Sequence, residues 1–217
     1  MKKSKVLITV FCAVLLVSVS VLGTLAYLTS QDEVVNTFTV GKVNITMDEA
    51  DVNEDGTEIV GADRVKENNY HLIPGRTYTK DPTLTVKAKS EDSYVRMLLT
   101  IDHASEFDTI YSPNKADLTT IFNGYDANNW VCEGVTRNSD KNTVTYEFRY
   151  KEIVRKSDTD TILDALFDSI TVPSTFDSAD MASIANLKIT VIGHAIQATG
   201  FADADDAWTA FNEQING

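Results

Sequence analysis

The stretch VVNTFTVGKVNITM, residues 34–47, predicts that the chain folds mainly as β-sheet. Valine, threonine, phenylalanine and isoleucine favour strands, and apolar residues here nearly alternate with polar ones. Gly41 is the expected bend, so the pattern predicts either one long strand or two strands around a kink. The apolar residues of this predicted strand include Val34, Phe38, Val40, Val43 and Ile45.

The residues before this stretch have the composition of a secretory signal peptide. Three lysines lie among the first five residues, and residues 6–22 are apolar except for one threonine and two serines. Signal peptidase requires a small residue just before the cut, so cleavage is predicted between Ala26 and Tyr27. An uncleaved N-terminal anchor is the alternative, because the run approaches the roughly 20 apolar residues that span a bilayer.

The mature chain, residues 27–217, is strongly acidic. Removal of residues 1–26 takes away three lysines and no acidic residue, so the formal net charge falls from -13 to about -16. Phosphate contacts require Lys or Arg, and the sequence therefore argues against nucleic-acid binding. The charge suits a protein that stays soluble outside a cell, with membrane contact only through the signal segment before cleavage. The length predicts one domain over residues 27–217.

Cys132 is the only cysteine of the mature chain, which excludes an internal disulfide. Its neighbours Trp130, Val131 and Val135 are apolar, and free cysteines are among the most buried residues, so Cys132 is predicted to be buried. A disulfide that joins two chains is the alternative reading.

The remaining pattern predicts several strands separated by turns, with short helices in the connections. This describes a mainly β fold, an antiparallel β-sandwich of jelly-roll type that ends in a C-terminal helix. Residues 161–172 are ambiguous, because their apolar residues fit helical spacing. The predicted elements are a loop or poorly ordered hairpin at 48–69, a Pro-Gly turn at 74–75, strands at 76–89, 94–102, 130–135, 142–151 and 187–199, and helices at 115–122, 178–185 and 203–215.

Residues 51–57, DVNEDGT, match the opening of a calcium-binding loop. Asp51, Asn53 and Asp55 supply oxygen ligands at positions one, three and five, and Gly56 allows the sharp turn at position six. Position twelve, however, is Ala62 where a bidentate glutamate is expected, and Asp-Gly is also common in plain turns. Calcium is therefore the one cofactor that the sequence suggests, with a plain turn as the alternative.

No catalytic motif is recognisable in the sequence. His71, His103 and His194 are far apart, and none belongs to an H-E-x-x-H pair, which would place two zinc ligands on one helix face. A G-x-S-x-G nucleophile elbow is also missing. The residues by themselves give no support for an enzyme.

The N-terminal sequence resembles the TasA/camelysin family of secreted proteins from Gram-positive bacteria. The likeness lies in GTLA (23–26) before YLT (27–29), then in NTFTVG (36–41), LIPG (72–75), YTKDP (78–82) and YVR (94–96). It implies a jelly-roll subunit of extracellular biofilm-matrix fibres whose signal peptide is removed by a SipW-type peptidase. It also implies assembly with further copies or related matrix subunits, by donation of the N-terminal strand to a neighbour.

Two alternatives to this reading stay open. Residues 34–47 could pair within their own subunit, which costs no association entropy. Part of the family is credited with peptidase activity, so a camelysin-like cell-surface metallopeptidase is the alternative function, although no zinc-ligand set is recognisable in this sequence.

Overall fold

The computed structural model describes residues 42–110 and 122–216, which belong to one compact unit. They form ten strands and three helices, and the three longest strands have nine residues each. The strands are β1 (Ile45–Asp48), β2 (Thr77–Thr79), β3 (Thr83–Val86), β4 (Ser93–Ile101), β5 (Phe122–Asn123), β6 (Trp130–Asn138), β7 (Thr143–Tyr150), β8 (Thr161–Ile162), β9 (Ser169–Thr171) and β10 (Ile189–Gln197), and the helices are α1 (Ala104–Ile110), α2 (Ser178–Ser183) and α3 (Ala204–Asn216).

The described strands form three antiparallel sheets. The central sheet has four strands in the order β10-β4-β7-β6, and two smaller sheets have the orders β1-β3-β8 and β2-β9-β5. The prediction of a mainly β fold with antiparallel sheets and short connecting helices is confirmed. The single domain from residue 27 to 217 stays a prediction, since its first residues lie outside the described ranges.

Strict alternation along β4 and β7 builds the core. Val95, Met97, Leu99 and Ile101 on β4 are almost fully buried, while the residues between them point to the other face of the sheet. They pack with further buried side chains, Val144, Tyr146 and Phe148 from β7 and Leu84 and Val86 from β3. Burial of each such side chain contributes about 1.5–3 kcal/mol, so this face holds the central sheet against the β1-β3-β8 sheet.

The turn at Pro74-Gly75 forms as the sequence predicts. The amide of Arg76 donates to the carbonyl of Ile73 over 3.2 Å, and Gly75 has a φ of 80°. A positive φ at the third position is what a type II turn requires, and glycine adopts it without strain. The predicted strand at 76–89 is instead two strands, because Pro82 has no amide to donate and the chain breaks there between β2 and β3.

The apolar residues at 161–172 form strands and a loop, not a helix. Leu163 donates its amide to Leu84, and Leu166 donates to Pro82, so this segment pairs along β3 while its side chains enter the core. Phe122, predicted as the end of a helix, lies in β5 and pairs with Ile170. The rest of that predicted helix, residues 115–121, lies outside the described residues.

Cys132 is exposed, so the prediction that it is buried is wrong. It lies on β6, an outer strand of the central sheet, where only Trp130 is buried and seven of the nine residues are exposed. A bulge between Cys132 and Gly134 further disturbs the pairing with β7. Apolar neighbours in the sequence did not decide its burial, because nothing in the described part of the chain packs over this part of β6.

Both predicted helices near the end of the chain are present. Asp177 caps α2 and accepts hydrogen bonds from the amides of Ala179 and Asp180. On α3, Trp208 is buried, whereas Ile215 near the end of the helix is 59% exposed. Within residues 42–110 and 122–216, none of the helices has the length and apolar character needed to cross a membrane.

Candidate functional site

The chain enters the described fold at a point fixed by hydrogen bonds. The carbonyl of Lys42 accepts from the amide of Glu91 over 3.1 Å, and the carbonyl of Asn44 accepts from Lys87 over 2.9 Å. The amide of Asn44 also donates to the hydroxyl of Ser90, which is buried. We call residues 42–44 the N-terminal root, because they are the first described residues and these bonds tie them to the fold.

The predicted assembly strand is divided at this root. Ile45 lies in β1 and pairs with Val86 of β3 in the same chain, so residues 45–48 follow the alternative of pairing within the subunit. Val43, just before β1, is half-buried. The other predicted residues of the assembly strand, Val34, Phe38 and Val40, lie outside the described residues, as does the predicted cleavage pair Ala26 and Tyr27.

The predicted calcium ligands lie in a tight hairpin. Val52 bridges Glu58, the amide of Asn53 donates to the carbonyl of Thr57, and the carbonyl of Asp51 accepts from the amide of Ile59. The carboxylate of Asp55 accepts from the amide and the hydroxyl of Thr57, over 3.0 and 2.6 Å. Oxygen atoms of the predicted ligands are therefore already used in holding the turn.

The Asp55 carboxylate is also paired with a cation. Arg76 lies 3.2 Å from it, and the hydrogen bonds from Thr57, followed by the charge of Arg76, lower the pKa of Asp55. Among the described residues, no group of three or more His, Cys, Asp and Glu side chains is placed to hold a metal ion. The calcium site stays a prediction from the sequence.

Gly56 is required by packing as well as by the turn. Its φ is 80°, and a Cβ added there would lie 2.5 Å from Cδ1 and 2.7 Å from Cα of Tyr78. Tyr78 is itself buried and donates its hydroxyl to the carbonyl of His71. The Asp-Gly pair thus has a structural reason that does not depend on a metal.

Ion pairs hold the acidic segment 48–70 against the β2–β3 break. Lys80 lies 2.6 Å from Glu49, and both side chains are nearly buried. Arg64 binds the carboxylates of Asp48 and Asp81. The amide of Ala50 donates to Asp81 as well, over 2.7 Å. The segment predicted as a loop or poorly ordered hairpin is therefore tied to the fold at several points.

A buried arginine under helix α3 is a feature that the sequence did not reveal. The Arg96 side chain, on β4, is only 2% exposed, and its Nη2 donates to Oδ1 of Asn212 over 2.6 Å. Its guanidinium lies 4.4 Å from the ring centre of Trp208 and 5.1 Å from that of Phe211. Such cation–π contacts are worth about 0.5–2 kcal/mol each. We call Arg96 and these three helix residues the α3 latch.

Two further side chains complete the surroundings of Arg96. His194 on β10 accepts from Nε of Arg96 at Nδ1, over 3.3 Å, and Glu147 on β7 lies 3.5 Å from the guanidinium. Burial, and then the charge of Arg96, lowers the pKa of His194. The signal that could have revealed this cluster was the single charge inside the apolar run YVRMLLTI (94–101).

The three histidines lie on different elements. His71 is in an exposed loop, His103 follows β4 and bonds to Asp102 over 2.8 Å, and His194 lies beneath α3. The described fold therefore does not bring the three histidines together. Comparison of the chain with models of protein families, with curated proteins and with solved structures found no match.

Proposed function

We propose that the chain is an exported structural subunit of extracellular biofilm-matrix fibres or of a cell-surface matrix. It assembles with further copies, or with related matrix subunits, by donating its N-terminal strand to a neighbour. The observation that carries the proposal is the N-terminal root, where the strand-forming segment joins the outer strand of a sheet. The sequence resemblance to TasA-type proteins supports the same function.

The length of the segment supports donation to a neighbour. Between the predicted cut after Ala26 and the root at Lys42 lie residues 27–41. Extended chain advances about 3.3 Å per residue, so these residues reach roughly 50 Å, well beyond one sheet. Because the root is bonded to residues 87–91, a pull on the donated strand is transmitted to the subunit that donates it.

The energetics predict an association that depends on concentration. Burial of Val34, Phe38 and Val40 contributes about 5–9 kcal/mol in total, at about 1.5–3 kcal/mol each. Association costs about 4–15 kcal/mol in lost freedom of movement. Backbone hydrogen bonds, at about 0.5–1.5 kcal/mol each, must then supply the remaining favourable free energy of association. Strand addition provides these bonds, with affinity from the main chain and specificity from alternate side chains.

The jelly-roll arrangement is part of the proposal. Its support is the packing of the four-stranded central sheet against the smaller β1-β3-β8 sheet across one core, with all pairs antiparallel. Sandwiches of two antiparallel sheets meet the need of each sheet to bury one face.

The proposal is tested with purified mature protein, residues 27–217. Sedimentation and electron microscopy should show polymers for this chain and monomers for a version that lacks residues 27–40. A double variant, F38S/V40S, should polymerise weakly, whereas the matched control T37S/T39S should polymerise nearly normally, because the first pair removes two large apolar side chains and the second removes only two methyl groups. If the mature chain stays monomeric under every condition in which it remains folded, strand donation is wrong.

A further inference from the structure

We propose that the donated strand is accepted by the outer edge of β6 on a second copy of the chain, antiparallel to β6. This inference rests on the proposed function, since it names the partner surface of the same assembly. It comes from a comparison of the outer strands of the three described sheets, and from the side chains that β6 leaves uncovered.

Strand length separates the possible acceptors. The outer strands are β1 and β8, β10 and β6, and β2 and β5. Four of them have between two and four residues, whereas β6 and β10 have nine each. The apolar donor segment, residues 34–40, has seven residues and needs an edge of similar length to satisfy its backbone groups.

The core face of β10 lies close to the neighbouring sheet. A Cβ added at Gly193 would lie 2.6 Å from Cδ1 of Leu84 and 3.4 Å from Sδ of Met47, so β10 approaches β1 and β3 closely at its centre. Glycine permits this approach because it has no side chain. The two sheets therefore lie close together at β10, where two of the nine residues are exposed, whereas seven of the nine residues of β6 are exposed.

On β6, apolar residues that face the core side are left uncovered. Cys132 lies opposite Phe148 and Val135 lies opposite Tyr146, and both partners on β7 are buried. Directly opposed residues of an antiparallel pair share one face of the sheet. Cys132 and Val135 thus lie on the face that forms the core, yet Val135 is 47% exposed and Cys132 is exposed. An additional strand beside β6 would extend this face and cover them.

The charges on β6 favour a donated segment over a second β6 edge. Glu133 lies at the bulge, and Arg137 follows on the same strand. Bulges and charges on an outer strand disfavour pairing between two identical edges. The donor segment VVNTFTV, residues 34–40, carries no charge, so it can lie along β6 without opposing like charges.

The alternation of apolar residues in the donor segment also gives its register against β6. Every described strand pair in the chain is antiparallel, and sheets of one type are favoured over mixed sheets. Placing Phe38 beside Val135 on the core-facing side then brings Val40 next to Cys132, because the bulge adds one residue to β6. Asn36 falls beside Arg137 in this register, and a parallel strand would exchange the positions of Val40 and Asn36.

The lone cysteine of the mature chain provides the test. A donor chain that carries V40C and C132S is mixed with a size-tagged acceptor chain that keeps the native Cys132, and diamide is added as the oxidant. A disulfide requires Cβ atoms within about 3.5–4.5 Å, so only adjacent positions join readily. The matched donor N36C/C132S places its thiol four residues away, about 13 Å along the strand.

The inference predicts a mixed disulfide between donor and acceptor that forms several times faster with V40C than with N36C. Faster joining by N36C would overturn the antiparallel register. If neither donor joins Cys132 while both still polymerise, β6 is not the acceptor and the proposed function stands. If the mature chain itself forms no polymer, it is the proposed function that fails.

Discussion

Replacement of Arg96 by methionine should weaken the docking of α3 on the central sheet. The variant loses the hydrogen bond to Asn212, which is worth about 1.5–3 kcal/mol because the donor is charged. It also loses the contacts with the rings of Trp208 and Phe211, worth about 0.5–2 kcal/mol each. Against these losses stands the cost of keeping a guanidinium buried, which methionine avoids.

The surroundings decide the balance between these opposing contributions. When Arg96 is removed, Glu147 keeps a partner, since Arg149 lies 2.7 Å from it, so no isolated charge is left behind. We therefore expect a net loss of about 2–3 kcal/mol, at or below the low end of the roughly 3–5 kcal/mol that follows removal of one member of a fully buried ion pair, because the Glu147 side chain is 24% exposed. For a domain of this size, that loss lowers the melting temperature by about 4–12 °C.

The assay is equilibrium unfolding in urea, followed by tryptophan fluorescence and by circular dichroism. R96K serves as the control, because lysine keeps the charge but loses the planar fork that reaches Asn212 and stacks on the rings. The expected order of stability is wild type, then R96K, then R96M. An R96M protein as stable as the wild type would show that desolvation cancels the α3 latch and would refute this reasoning.

Three further predictions concern single sites. Burial, and then the charge of Arg96, lowers the pKa of His194 below its ordinary value of 6.5, so the unfolded state binds more protons than the folded state as the pH falls through that value. The contribution of His194 to stability is therefore full above pH 6.5 and is lost at lower pH. The H194Q variant should show a weaker dependence of the urea midpoint on pH between about pH 7.5 and 5. The G56A variant should lose about 2–4 kcal/mol of unfolding free energy, because of the positive φ and the contact of the added Cβ with Tyr78. The control G61A has a similar φ but no atom within 4 Å of the added Cβ, so it should lose about half as much. Equal losses would contradict the packing argument. The calcium site predicted at 51–57 should give heat in a titration of the mature protein at millimolar calcium, and D55N should abolish it; the absence of heat removes the site.

The sequence predicted those elements whose signal is local. The alternation in β7 and most of β4 places apolar side chains on one face, so it predicts both a strand and its buried side. The turn at Gly75 is likewise decided within a few residues, by a positive φ that glycine adopts without strain.

The features that the sequence missed depend on distant parts of the chain. Leu163 and Leu166 fit a helix by spacing, yet their amides pair with residues of the β3 region some 80 positions away. Cys132 has apolar neighbours, but its burial depends on whether another element covers β6. The charge of Arg96 was visible in the sequence, whereas the helix that covers it comes more than 100 residues later. Periodicity describes one segment and cannot show its tertiary partner.

The candidate site was likewise predictable from the sequence only in part. Strand propensity predicted the segment 34–47, and the structure places its last part, from Ile45, in β1 of the same subunit. The choice of acceptor could not come from sequence, because it requires the lengths of all outer strands and the exposure of Val135.

Electron microscopy of the protein recovered from the culture medium, combined with N-terminal sequencing of the same sample, tests the central proposal most directly. The proposal predicts fibres whose subunits begin at Tyr27, with the segment 27–41 intact. Folded monomers that begin at Tyr27 and form no fibres at any concentration would contradict it.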